Sequence, residues 1–155
     1  MHSTKEETTI NMATSVDSAN LILKLYELRR EPVMREARNF FMTFNPASLA
    51  DYMGAMMGPH SGHVRMVASY WEMAASFVTS GAIDAAMFEA SAGEHVIVFG
   101  KIEPFLKELR ESMGNPNVFK NLEQVCLAAP GGIDHVRATA ARIRNMMAAR
   151  ATAGN

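Results

Sequence analysis

One carboxylate, that of Glu72, lies in the middle of the most apolar stretch of the sequence, residues 63–80. In such surroundings a carboxylate must reach water, find a partner, or hold a proton through a raised pKa. Arg65 and Ser69 precede Glu72 at helical spacing, so all three would follow one line of a helix.

Our first interpretation is an ion pair between Glu72 and an arginine inside a helical bundle. The alternative is a pocket for an apolar small ligand, anchored by Glu72 and completed by Arg65, Ser69, Tyr70 and Trp71. A catalytic base ranks third, because no second reactive group stands at a fixed spacing.

Two histidines, His60 and His63, precede this stretch and could meet a single metal ion. A zinc or iron site needs three or four such ligands, and the Glu-x-x-His and His-Glu-x-x-His motifs are both absent. We therefore interpret both as ordinary loop residues. A metal-dependent enzyme that uses them is the outside alternative.

The sequence contains 13 methionines, and several fall close to the apolar stretch. These are Met53, Met56, Met57, Met66 and Met73. Methionine fills irregular gaps in a core, but it also lines adaptable binding surfaces, so the methionines indicate either a core or a groove for a partner or an apolar ligand. No phosphate-binding loop, nucleophile elbow or triad pattern accompanies them, so we predict no cofactor and favour a non-enzymatic protein.

Composition narrows the class of protein further. The 155 residues carry a net charge of −1, which argues against a general nucleic-acid binder. No run of apolar residues is long enough for a transmembrane helix. Cys126 is the only cysteine, and the N-terminal residues lack the apolar core of a signal peptide, so we expect a cytoplasmic protein.

The elements that must position these residues are all predicted to be helical. Residues 63–80 are apolar around most of a helix, so other helices must surround that helix, and Gly81 is placed to end it. Capping residues and prolines mark further helix starts at Asp17, Pro32, Asn45-Pro46, Asp84, Asn115-Pro116 and Asp134. A single kinked helix over residues 17–44 is an alternative to two separate ones.

The segment 94–113 is ambiguous between a strand and a helix. Val96-Ile97-Val98-Phe99 suits a strand by composition, but no second strand is available to pair with it. Helical spacing of apolar residues continues to Met113, so we predict a helix with a kink at Pro104. The expected fold is an all-α bundle of about six to eight helices in one domain, residues 15–150. We expect residues 1–14 to form a disordered leader and residues 151–155 to fray.

Three segments carry a resemblance to known proteins: LILKLYELRREPVMREARNFF, SYWEMAASFVTSGAID and KIEPFLKELRE. Together they resemble a family of short, all-helical bacterial proteins of unknown function. The resemblance implies a helical fold and a bacterial source, with Glu72 in an interior ion pair and Asp84 as a helix cap. It implies no activity, cofactor or catalytic residue.

The leading functional hypothesis is association, with a second copy as a homodimer or with a protein partner. It rests on the methionine-rich faces and on a basic last helix that carries Arg137, Arg142, Arg144 and Arg150. The second hypothesis is a small-molecule binding protein with its pocket at Glu72, and the third is the metal-dependent enzyme.

Overall fold

The protein is an all-α domain, as the sequence predicts. A computed structural model describes the backbone of residues 3–154 and the side chains of residues 15–154. Its helices are α1 (Ser3–Arg29), α2 (Pro32–Thr43), α3 (Leu49–Met57), α4 (Ser61–Thr79), α5 (Ala85–Ser91), α6 (Glu94–Ile102), α7 (Leu106–Met113), α8 (Lys120–Ala128) and α9 (Gly132–Ala153). A 3₁₀ turn, Glu103–Phe105, joins α6 to α7 without a break, so these two helices count as one continuous segment. Residues 3–154 therefore form eight helical segments and contain no strand.

Helix α4 is the centre of the fold. It contacts α2, α3, α5, α6 and α8. Its buried residues are Val64, Val67, Ala68, Tyr70, Trp71, Ala74 and Ala75. Gly81 lies just beyond its end with a φ of 85°, a conformation that glycine adopts without strain. The expectation of a surrounded central helix is confirmed, although α4 begins two residues before His63.

Four of the predicted helix starts are displaced. Helix α1 begins before Asp17, and α9 begins at Gly132, two residues before Asp134. Asp84 does cap α5, since its carboxylate accepts a hydrogen bond of 2.9 Å from the Met87 N–H. However, α3 is capped by Ser48 rather than by Asn45, and α8 begins at Lys120 rather than next to Asn115. Asn-Pro marks turns as well as helix starts, and here both pairs lie in the connections that precede the helices.

The ambiguous segment 94–113 is helical throughout. Pro104 lies in the 3₁₀ turn between α6 and α7, where its missing N–H and fixed φ interrupt regular α-helix. The prediction that segment 94–113 is helical is confirmed, and the irregularity expected at Pro104 takes the form of a 3₁₀ turn.

Lys101, on α6, is one of the few charged residues buried in the core. Its ammonium donates hydrogen bonds to the carbonyls of Phe41, Met42 and Phe44, at 2.7, 2.9 and 2.7 Å. These carbonyls close the C-terminal end of α2, where a cation also complements the helix dipole. Burial, with a smaller effect of Arg144, lowers the pKa of Lys101 to about 8. At neutral pH the amine therefore still carries the three protons that these bonds use.

The expectations for the two ends of the chain stay predictions. Residues 1, 2 and 155, and the side chains of 3–14, lie outside the described part of the protein. Helix α9 continues past Arg150 to Ala153. None of the helices in the described part of the chain is both long and apolar enough to cross a membrane.

Candidate ligand-binding cavity

Glu72 joins α4 to the beginning of α8. Its Oε1 accepts hydrogen bonds from the backbone N–H and the side-chain amide of Asn121, at 3.0 and 2.9 Å. Its Oε2 accepts one of 2.8 Å from the backbone N–H of Leu122. Asn121 and Leu122 are in the first turn of α8, whose N–H groups have no partner within the helix. The carboxylate therefore caps α8 from another helix, at the positive end of its dipole.

This geometry replaces the ion pair that we expected for Glu72. Among the described side chains, none of the ion pairs includes Glu72. The residue that would normally cap α8 is Phe119, which has no acceptor in its side chain and a φ of 56°. Glu72 supplies the acceptors that Phe119 lacks.

A cavity of about 770 Å³ opens beside Glu72, between α3, α4, α7 and the turn before α8. Most of its lining is apolar: Tyr52, Met53, Met56, Met66, Ala68, Leu109, Met113, Val118 and Phe119. Burial raises the pKa of Tyr52 to about 12, so its phenol stays neutral over the physiological range. The cavity thus offers a large apolar volume with no ionised group in its α3 wall.

The polar lining consists of Asn117, in the turn before α8, and a short row on α4 formed by Arg65, Ser69 and Glu72. Spacings of four and three residues place these side chains on one side of the helix. Arg65 is exposed and donates to the carbonyl of Ser61 at 3.4 Å, and none of the described carboxylates forms an ion pair with it. The cavity therefore has one cation at its edge and one carboxylate that is already occupied.

Tyr70 and Trp71 do not line this cavity. Both are buried on the side of α4 that faces α1 and α6. The Tyr70 hydroxyl donates to the carbonyl of Leu25, and the Trp71 indole N–H donates to Glu94 at 3.2 Å. The structure thus brings three of the five expected pocket residues together and places the other two in the core.

The sequence does not reveal the walls contributed by α7 and by the turn before α8. Asn117 and Phe119 lie in a stretch that we expected to be helical, and Leu109 and Met113 are on α7. Nothing in the sequence pairs these segments with α4. The only usable signal was the need of Glu72 for donors elsewhere in the chain.

His60 and His63 lie near each other but not in the cavity. Their ring centroids are 5.6 Å apart, and the His60 ring stacks on Phe40 at 4.2 Å. His63 Nε2 is 3.9 Å from a carboxylate oxygen of Glu36. Within residues 15–154, no group of three or more His, Cys, Asp or Glu side chains is placed to hold a metal ion.

Comparison with known proteins bears on the family alone. A family described as "Domain of unknown function (DUF4760)" matches residues 14–128. The chain belongs to this family. No curated protein and no solved structure matches the chain. The DUF4760 match includes α3, α4, α7 and α8, which form the cavity, and leaves α9 outside it.

Proposed function

We propose that this DUF4760 protein binds an apolar small molecule that carries one anionic group, in the cavity beside Glu72. The proposal rests on the lining of this cavity of about 770 Å³, which is mostly apolar and has one free cation, Arg65, at its edge. Small-molecule sites typically occupy about 300–1,000 Å³ and combine apolar walls with a few placed polar groups.

The walls favour a flexible apolar ligand. Four methionines contribute to them: Met53, Met56, Met66 and Met113. Unbranched, polarisable methionine side chains adapt to ligands of different shape, which suits an alkyl chain better than a rigid polar molecule. This interpretation gives the methionine-rich face, which the sequence left open between core and binding surface, a binding role.

The polar row favours an anionic head group. Both oxygens of Glu72 already accept hydrogen bonds from α8, so Glu72 maintains the wall rather than contacting the ligand. Arg65 retains donors that can bind a carboxylate, and the hydroxyl of Ser69 lies one turn further along α4. A carboxylate on an alkyl chain fits this arrangement.

The experiment is a thermal-shift and calorimetric titration with decanoate, using decanol as the uncharged match. Decanoate at a free concentration 100 times its dissociation constant should raise the free energy of unfolding by about 2.7 kcal/mol. Arg65→Gln should weaken decanoate binding about tenfold or more while leaving decanol binding unchanged. Arg142→Gln, which removes an exposed arginine of α9, is the matched control. Equal binding of decanoate by all three proteins would contradict the role of Arg65, and no binding of either probe would contradict the function.

Association is the second candidate function, and one observation favours it. The outward side of α1 exposes large apolar side chains, among them Val16 and Leu23, which are 61% and 64% exposed and lie seven residues apart. A row at this spacing is typical of a helix that pairs with another helix. Light scattering should then show a dimer, which Leu23→Glu should convert to a monomer. A protein that is monomeric before the substitution would exclude pairing of two copies.

A cytoplasmic location suits both candidates, because Cys126 is a free, buried thiol.

A further inference from the structure

A second cavity, of about 310 Å³, lies where α1 ends and α2 begins. It is lined by one tyrosine and four arginines: Tyr26, Arg29, Arg30, Arg35 and Arg38. None of these residues lines the cavity beside Glu72. We propose that this arginine cavity binds a small molecule that carries a phosphate or diphosphate group.

The charges in the arginine cavity are not balanced by the protein. Arg38 is neutralised by Glu94, whose carboxylate accepts from its Nε and Nη2 at 3.0 and 2.7 Å. In the part of the chain with described side chains, none of the ion pairs includes Arg29, Arg30 or Arg35. Three guanidinium groups therefore remain for an anion.

Neighbouring acids do not remove this excess. Glu31 lies between the two helices, but its carboxylate accepts the backbone N–H of Met34 at 2.9 Å and so caps α2. Glu27 pairs with Lys24 instead, at 3.3 Å. Glu31 keeps its negative charge while it caps α2, so it offsets part of the excess, and the cavity still carries more positive than negative charge.

Helix dipoles explain only half of the cluster. Arg29 and Arg30 lie at the C-terminal end of α1, where positive charge is stabilising. Arg35 lies at the end of the first turn of α2, where positive charge is unfavourable. An anion bound there would reverse that penalty, because it would face both Arg35 and the positive end of the α2 dipole.

Two of the arginines are held in place before any ligand binds. The guanidinium carbon of Arg29 is 5.3 Å from the ring centroids of both Tyr26 and Trp71. Arg38 is fixed by Glu94 and also donates to the carbonyl of Arg29 at 3.3 Å. Such preorganisation lowers the entropic cost of binding.

Arg29 also retains a donor that the protein leaves unused. Its Nε is buried, and no described group accepts its hydrogen bond. A buried donor of a charged group without an acceptor is costly, and the Arg29 guanidinium stands beside the cavity despite that cost.

The ligand chemistry follows from these groups. Guanidinium forks match the oxygens of phosphate in pairs, and a phosphate ester carries close to two negative charges at neutral pH. Three free guanidinium groups therefore favour a phosphate or diphosphate over a monocarboxylate. The volume of about 310 Å³ suits a small molecule rather than a macromolecule.

The protein contains its own reporter for this site. Trp71 is its only tryptophan, and it contacts both Arg29 and the carboxylate that holds Arg38. Titration with pyrophosphate at an ionic strength of about 0.15 M should give a saturable change in Trp71 fluorescence. Chloride at matched ionic strength should give none. Isothermal titration calorimetry on the same samples gives the dissociation constant.

Substitutions assign the binding to the arginine cavity. Arg35 is exposed, so Arg35→Gln should leave the fold intact, as circular dichroism would verify, and weaken pyrophosphate binding about tenfold or more. Arg142→Gln makes the same change of charge on α9 and should bind like the unmodified protein. Arg65→Gln should also bind pyrophosphate normally, which separates this site from the apolar cavity.

Three results would overturn the proposal. One is the absence of a saturable response to pyrophosphate. Another is the same affinity for pyrophosphate in Arg35→Gln and Arg142→Gln, whether or not both are weakened. The third is sedimentation of the protein with vesicles of phosphatidic acid and phosphatidylcholine without any response to soluble pyrophosphate. That result would replace a soluble ligand with a membrane surface.

Discussion

Glu72 is a residue whose need for a partner is visible in the sequence while the partner is not. A carboxylate on an apolar helix must be satisfied, and arginine was the natural candidate. The donors are instead backbone N–H groups of α8, about fifty residues further along the chain. Periodicity cannot reveal them, because every helix start offers the same groups.

Loss of this cap should have a moderate effect on stability. We expect Glu72→Ala to lower the free energy of unfolding by about 1–3 kcal/mol, because the N–H groups of Asn121 and Leu122 lose their acceptors. Glu72→Gln keeps one acceptor and should lose less. Urea unfolding followed by circular dichroism measures both, and Glu111→Ala, at an exposed position of α7, should change stability by less than about 0.5 kcal/mol. A loss for Glu72→Ala as small as that of the control would contradict the capping role.

His95 should make the stability of the protein depend on pH. Burial, with a smaller effect of Arg29, lowers its pKa from 6.5 to about 4. Between these values the unfolded chain binds the proton and the folded chain does not, so stability is complete above pH 6.5 and is lost as the pH falls towards 4. The loss from this residue amounts to about 3 kcal/mol.

Urea unfolding at pH 7 and pH 4.5 tests the role of His95. His95→Leu should flatten the dependence on pH, whereas His60→Gln, which removes an exposed imidazole, should leave it unchanged. The same slope in His95→Leu and the unmodified protein would assign the pH dependence to other groups.

At the scale of elements, the sequence predicts helices well and their starts less well. The sequence predicts helix α4 because apolar residues occupy most of its circumference. It predicts a helical 94–113 segment because the helical spacing of apolar residues continues beyond the strand-like residues 96–99. Helix α8 begins later than the sequence predicts because Asn115 forms a turn, in which its side chain accepts a hydrogen bond of 2.9 Å from the backbone N–H of Asn117. Local side-chain hydrogen bonds of asparagine compete with helix formation, and a proline does not decide between them.

The packing of α6 against α9 depends on Gly100. A Cβ atom added there would lie 2.8 Å from the Cβ of Ala140 and 3.2 Å from the carbonyl oxygen of Val136, both on α9. We therefore expect Gly100→Ala to cost about 1–3 kcal/mol, because α6 and α9 must move apart. Gly54→Ala, in an exposed part of α3 with nothing within 4 Å, should instead stabilise by about 0.5–1 kcal/mol. Thermal unfolding compares the two, and stabilisation by both substitutions would show that α6 and α9 are less closely packed.

At the scale of the whole molecule, the candidate cavity forms only when helices that are distant in the sequence pack together. The sequence places Arg65, Ser69 and Glu72 on one line of α4, but the opposite walls come from α3, α7 and the turn before α8. Tyr70 and Trp71 are neighbours of Glu72 in the sequence, but that does not place them at the same pocket. Successive residues of a helix point about 100° apart, and these two point into the core.

Helix α9 lies outside the family match but contributes buried residues to the core, so the stability of the whole molecule should depend on it. Val136, Thr139 and Ala140 are buried where α9 packs against α6 and α8. A chain ending at Pro130 would expose these contacts on the remaining helices. Burial of the Val136 and Ala140 side chains alone corresponds to about 3 kcal/mol, so we expect the shortened chain to unfold at markedly lower urea concentration.

A chain ending at Arg150 is the matched control for this truncation. It removes only residues 151–155, which expose their described side chains, and should unfold like the full chain. If the chain ending at Pro130 kept full stability, the family match alone would define the folding unit, and α9 would be an appendage. If it unfolds early, as the buried face of α9 requires, the cavity and the arginine site depend on a helix that the family match does not include.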